Sequence, residues 1–219
     1  MKIVERIART LLLSGLVFLL GACAVGQKYN LTTASPDLKI ASPTAIGVGV
    51  QDKRDYVVSG RNQPRIAGLV RGGWGNPFYV TTTSGRPLVE DMQESICNAI
   101  KQKGVNPLPV TLVPAEADAD VIKEMTATGA RRSLLLRLKE WQPDFSSGGT
   151  LALKFNMELS VLNASGIMVA SKNVSGNDTL GKKIWGTSFM KVYQQKVSEA
   201  FAQKIEVLFN DPEVMKGLR

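Results

Sequence analysis

A chain of 219 residues is long enough for one sizeable domain, and its 27 Lys and Arg against 19 Asp and Glu leave a formal charge of +8 with no histidine at all. The missing imidazole excludes Ser-His-Asp and Cys-His hydrolases and His-based zinc centres. The basic residues are scattered, with Lys53-Arg54, Arg131-Arg132 and Lys182-Lys183 as adjacent pairs, which describes a solvated surface better than a nucleic-acid stripe and leaves anionic headgroups or an acidic partner as what the excess would favour.

Lys2, Arg6 and Arg9 precede an apolar run from Leu11 to Leu20, the layout of a secretory signal over residues 1–22. The run is shorter than the roughly 20 apolar residues that a membrane-spanning helix needs. It closes in Leu20-Gly21-Ala22-Cys23, and this string resembles the lipobox of bacterial lipoproteins. The resemblance implies cleavage between Ala22 and Cys23 and acylation of Cys23, whose thiolate is a nucleophile suited to attacking a lipid donor. Three acyl chains would hold the protein on the membrane, since each buried methylene contributes about 0.8 kcal/mol. The residue after the cysteine is Ala24 and not Asp, which by the same resemblance implies the outer membrane, with the protein facing the periplasm.

From residue 23 to 43 the composition is dominated by Thr, Ser, Pro, Gly and Ala, which predicts a lipidated N-terminus and flexible linker ahead of a single domain over 44–219. Thr44 to Gln51 sets Ile46, Val48 and Val50 against small residues and predicts a strand covered on one face. Tyr56 to Ser59 and Ile66 to Arg71 read as short strands, and Arg71 to Pro77 (RGGWGNP) as a loop. A helix is predicted from Arg86 to Lys103, capped by Ser84, with Leu88, Met92, Ile96, Ala99 and Ile100 as its apolar stripe and Gly104 as its stop. Pro107 and Pro109 restrict the next segment to an edge strand or an extended connection. A short helix follows over 114–127.

The clearest pattern comes next. Ser133 to Gln142 is a strand, and Thr150 to Asn163 alternates Leu151, Leu153, Phe155, Met157, Leu159 and Val161 against Ala152, Lys154, Asn156, Glu158 and Ser160. With Ile167 to Ser175 these form an antiparallel three-strand meander. A helix over 188–210 and a final turn after Asp211-Pro212 complete an α+β fold. Its sheet is mixed but largely antiparallel, and its helices pack mainly on one face.

The sequence offers little chemistry beyond the lipobox. It has no Walker A string, dinucleotide fingerprint or G-x-S-x-G elbow. The acid pairs Asp52/Asp55 and Asp118/Asp120 read as surface charge or helix N-terminal bias, with paired-acid glycosidic chemistry as the sharper alternative. With Cys23 acylated, Cys97 has no disulfide partner and is either a small core hydrophobe or a reactive thiol. Trp74, Trp141 and Trp185 sit at loops or strand ends, each either capping the core or anchoring an interaction. No catalytic residue, metal site or cofactor is identified.

The lipobox, Ile46-Gly47-Val48-Gly49-Val50 running into Asp52-Lys53-Arg54, the helix ending before Gly104, the meander and the C-terminal helix together resemble the YajG-like family of uncharacterised bacterial lipoproteins. That resemblance spans most of residues 44–219, departs from the family's shorter form at Gly60 to Pro77, and implies location and fold class rather than an activity. The resulting expectation is a non-enzymatic, lipid-anchored envelope lipoprotein. Its partners are the membrane, through the anchor, and an envelope protein, with no nucleic acid. The alternative is a lipid or small-ligand carrier using the apolar sheet face, or an auxiliary component of an envelope transport system.

Overall fold

The computed structural model describes residues 26–40, 45–182 and 188–219. Within them the period-2 pattern of residues 150–163 forms the central strand of the meander, β6 (Arg132–Phe145), β7 (Thr150–Asn163) and β8 (Met168–Lys182). Both pairings are antiparallel, and every apolar residue of the β7 alternation faces the main core. In β6 the same face is reached by Leu134, Leu136 and Leu138 and then, after a bulge between Leu138 and Glu140, by Trp141 and Phe145. One extra residue reverses the parity of a strand. That is why SLLLRLKEWQ does not alternate cleanly.

The other edge of β6 carries two strands in succession. β2 (Ile46–Asp52) runs parallel to it from Arg132 to Leu138, and β3 (Ile66–Arg71) runs parallel to it at Asp144 and Phe145. Outside β2 lies β5 (Pro107–Val110), parallel to β2 at an edge that tolerates both prolines. Outside β3 lies β4 (Pro77–Thr82), antiparallel, followed by β1 (Lys28–Tyr29), parallel to β4. The eight-stranded sheet thus forks at β6.

The fork is filled by charge. Lys53 donates its N–H to the Leu138 carbonyl, and the chain then turns into α1 (Asp55–Val58), a helical turn where Tyr56 to Ser59 is expected to be a strand. Arg54, with its side chain fully buried, makes two bonds to the Asp52 carboxylate, from Nε to Oδ1 (2.8 Å) and from Nη2 to Oδ2 (2.6 Å). Its remaining donors reach the carbonyls of Ile66 (2.7 Å) and Pro64 (3.0 Å) and the Tyr56 hydroxyl (2.8 Å). Burial works to lower the Arg54 pKa, but the hydrogen bonds and charge of Asp52 outweigh it and leave it raised.

Helices α2 (Leu88–Gln102), α4 (Phe189–Phe209) and α5 (Pro212–Gly217) bury their apolar stripes on the main core face. The α2 stripe is the expected one, but its N-cap is Pro87; the Ser84 hydroxyl is committed to Asp91 instead (2.8 Å). In α4, Tyr193 is buried in the core while Val192 beside it is half-buried. Helix α3 (Asp118–Ala127) lies on the opposite face, packing Val121 and Met125 on Leu112, Leu135 and Leu162. It comes so close to β2 that a Cβ on Gly49 would lie 2.5 Å from the Met125 sulfur. β2 is therefore buried on both faces, not one, and its small residues are the contact surface for α3.

Residues 26–40 are not a linker. Tyr29, Leu31, Ala34, Leu38 and Ile40 are buried in the main core. The backbone polar groups beside them are met by α4 and α2: Asp37 N–H donates to Glu206 (2.8 Å), Lys39 N–H to Asn210 (2.7 Å), and Ser95 Oγ to the Ala34 carbonyl (2.6 Å). A polar composition with a few large apolar residues reads as a linker until a groove between two helices accepts those few. Each fully buried Leu then contributes about 1.5–3 kcal/mol.

The fork yields a stability test. Asp52→Ala leaves the Arg54 charge buried without its partner and is expected to cost about 3–5 kcal/mol. Adding Arg54→Met removes the stranded charge and should recover much of that loss in urea unfolding. A double variant no more stable than Asp52→Ala would show that the pair does not act as a unit.

Candidate functional site

The polar side of β6 and β7, beyond the reach of α3, forms an open groove of about 740 Å³. Cross-strand pairing places its charges. Arg137 stands opposite Glu158 (3.8 Å) and also reaches Asp118 at the start of α3 (3.2 Å), Lys139 pairs with Glu158 (2.5 Å), and Lys154 pairs with Glu140 (2.7 Å). Tyr56 forms part of the wall, its ring 5.1 Å from the Arg54 guanidinium carbon, and burial is the main cause of its raised pKa. Asp118, Glu140 and Glu158 are each paired with a cation, and Asp55 lines the groove beside them. The polar half of the β7 alternation is the sequence signal for this groove; which cations on β6 meet it depends on register.

The acid pairs of the sequence separate. Asp52 is spent on Arg54 in the core, while Asp118 pairs with Arg137 at the groove's rim. Among the described residues no cluster of three or more Cys, Asp and Glu is arranged to hold a metal ion. Cys97 is buried beside the α2 stripe, and desolvation pushes its thiol pKa up to about 11.

The three tryptophans have different fates. Trp141 is 0% exposed and lies edge-on to Phe201, with ring centroids 5.9 Å apart, which corrects its reading as an interaction anchor. The β6 bulge turns it inward opposite Phe155. Trp74 is 100% exposed at the β3–β4 turn, where Gly72 N–H bonds to the Asn76 carbonyl (2.9 Å) and Gly75 N–H to the Gly72 carbonyl (2.8 Å). Trp185, like Ala22 and Cys23, lies outside the described residues.

The apolar sheet face proposed for a carried ligand is occupied by α2, α4, α5 and residues 29–40. Near it, between β3 and β6, is a cleft of about 200 Å³ lined by Tyr56, Ile66, Gly68, Leu69, Tyr79 and Trp141, smaller than the ~300–1,000 Å³ usual for ligand pockets. A Cβ on Gly68 would lie 2.0 Å from the Tyr193 hydroxyl, so this glycine is the space that the tyrosine fills. The Tyr193 hydroxyl and Trp141 Nε1 are buried without a hydrogen-bond partner, and burial raises the Tyr193 pKa well above the usual value.

No protein-family model and no curated protein sequence matches this chain. Among solved structures it is similar to XCC0632 from Xanthomonas campestris, a DUF330 protein, at 13% identity over 84% of this chain and 90% of that one, with a TM-score of 0.44. It is similar to a PelC dodecamer from Paraburkholderia phytofirmans at 15% identity over 81% and 94%, with a TM-score of 0.38. The lipoprotein GNA1162 from Neisseria meningitidis matches at 13% identity over 74% and 99%, with a TM-score of 0.29.

Two measurements check these assignments. Trp141→Ala is expected to cost about 3–5 kcal/mol by leaving a cavity beside Phe201, whereas Trp74→Ala should change stability by less than about 0.5 kcal/mol. Chemical denaturation reads both, and equal costs would place the two rings in similar environments. Cys97 should resist thiol reagents at pH 8 in the native state and react in step with urea unfolding. Prompt modification of folded protein would show an accessible thiolate.

Proposed function

We propose that this protein is a non-enzymatic cell-envelope lipoprotein, anchored through acylated Cys23 at the outer membrane and offering the polar face of β6 and β7 to a protein partner in the periplasm. The carrying observation is the joining of anchor to domain. Cys23 stands three residues before Gly26, where the described domain begins, and five before β1. At ~3.3–3.6 Å per residue the chain from Gly26 back to Cys23 reaches at most about 11 Å. The domain therefore sits against the bilayer instead of swinging above it on a tether of some twenty residues.

The absence of histidine, the burial of Asp52 with Arg54 and the pairing of Asp118, Glu140 and Glu158 favour a binding role over catalysis. The groove suits a partner with its own mixed charges, because every ion pair in it can be exchanged for one across an interface. No helix among the described residues is long and apolar enough to cross a membrane.

Palmitate labelling tests the anchor: wild type should incorporate label and Cys23→Ser should not, and label retained in the variant would refute acylation at Cys23. For the partner, a photo-crosslinker at Asn156, among the residues lining the groove, should capture a specific envelope protein that the same crosslinker at exposed Val207 on α4 does not. The same products from both positions, or none from Asn156, would overturn the assignment of that face.

A further inference from the structure

The β3–β4 hairpin is unusual on this surface. Trp74 exposes its whole side chain at the apex, and Tyr79 on the same hairpin is half-exposed. Tryptophan is highly buried on average, so a ring standing entirely in water marks a candidate contact residue. The turn holds it there: the bonds between Gly72 and Asn76 and between Gly75 and Gly72 close the loop, and a Cβ on Gly73 or Gly75 would meet nothing within 4 Å. Among the described residues nothing covers these positions of the apex.

The described N-terminal chain runs beside this hairpin. β1 runs in the same direction as β4, with Lys28 level with Thr81, and the Gln27 carbonyl accepts from Thr81 N–H (3.1 Å). Gly26 lies two residues before Lys28, at the end of β1 that faces the hairpin apex. From Gly26 the chain to Cys23 spans at most about 11 Å, and the hairpin apex lies roughly 10–15 Å beyond Tyr79 along β4. A chain of that length is sufficient to bring an acylated Cys23 to the hairpin's end of the sheet. Tryptophan and tyrosine are also the residues that settle in the headgroup layer, where the ring is shielded and its polar edge stays wet.

We infer that the β3–β4 hairpin is a second membrane contact, with Trp74 and Tyr79 seated in the headgroup region of the bilayer that holds Cys23 and exposed Lys28 set against lipid phosphates. This rests on acylation of Cys23, which makes a bilayer the surface nearest the hairpin. The two contacts fix the domain's orientation, since one lipid attachment leaves it free to rotate and a second removes that freedom.

The test uses the full-length protein purified with its lipid and reconstituted into phosphatidylethanolamine–phosphatidylglycerol vesicles, with and without brominated acyl chains. Subtracting the spectrum of Trp74→Phe isolates the Trp74 emission, because Trp141 and Trp185 are common to both proteins. Mass spectrometry of the same preparation reports the acyl chains. Acylated protein whose Trp74 emission moves to the blue and loses most of its intensity with brominated lipid supports the inference. Acylated protein whose Trp74 emission is the same as in detergent-free buffer and unquenched overturns the hairpin contact while leaving the anchor intact. Protein without acyl chains refutes the anchor, and the hairpin contact with it.

Discussion

The fold depends on how one edge of β6 is shared, and the Asp52–Arg54 pair is the interaction that makes the sharing possible. Where β2 leaves β6 and before β3 joins it, the Pro64 and Ile66 carbonyls face a buried region with no strand to receive them. Arg54 supplies donors to both while binding Asp52 through two parallel bonds. Guanidinium is suited to this place because its donors lie in a rigid plane, and a lysine could not serve carboxylate, carbonyls and hydroxyl together. Burying such a pair carries a large desolvation penalty, so its contribution is better described as specifying the fork than as adding stability. Replacing both partners by apolar groups would remove that penalty at the expense of the Arg54 bond to the Ile66 carbonyl, while the Pro64 carbonyl keeps the Leu88 N–H (3.0 Å).

From this fork the two surfaces of functional interest diverge. β2 and α3 lie on one branch, and α3 brings Asp118 to the rim of the charged groove. The other branch, β3, β4 and β1, ends in the Trp74 hairpin and receives the N-terminal chain. The polar groove, on β6 and β7, and the Trp74 hairpin, on the β3–β4 arm, thus lie on different parts of a sheet that is continuous through β6. That separation allows one to face a partner while the other faces a membrane.

Long, regular patterns were legible in the sequence, and features decided by single residues were not. The meander was plain because fourteen residues of β7 keep one parity, and α2 because its stripe repeats with helical spacing. Trp141 was misplaced because the bulge before Glu140 reverses parity in a way that SLLLRLKEWQ does not announce. Tyr56 to Val58 carries β-favouring residues yet forms a helical turn, since Arg54 holds the preceding chain inside the fork and local propensity is overruled by that contact. The burial of Asp52 and Arg54 left no trace either, because a charged run in a sequence looks the same whether solvated or paired. In the candidate site, the polar row Lys154, Asn156 and Glu158 could be read from alternation, but its partners Arg137, Lys139 and Glu140 required the register.

The reassignment of residues 26–40 changes the function most, because it alters the geometry of encounter. A domain on a long flexible linker samples a large volume and can meet partners well away from the membrane, at an effective concentration that falls with linker length. Here the same stretch is spent inside the fold, with Leu31 and Leu38 buried and its backbone bonded to α4, so almost nothing is left for a tether. With Cys23 acylated, the domain samples a thin layer beside the bilayer, and a partner that meets the groove must itself lie in that layer. Membrane-proximal envelope proteins satisfy this condition, whereas proteins that remain deep in the periplasm do not. Under the proposed anchoring, the loss of the tether would select the class of partner by distance before any side chain makes contact.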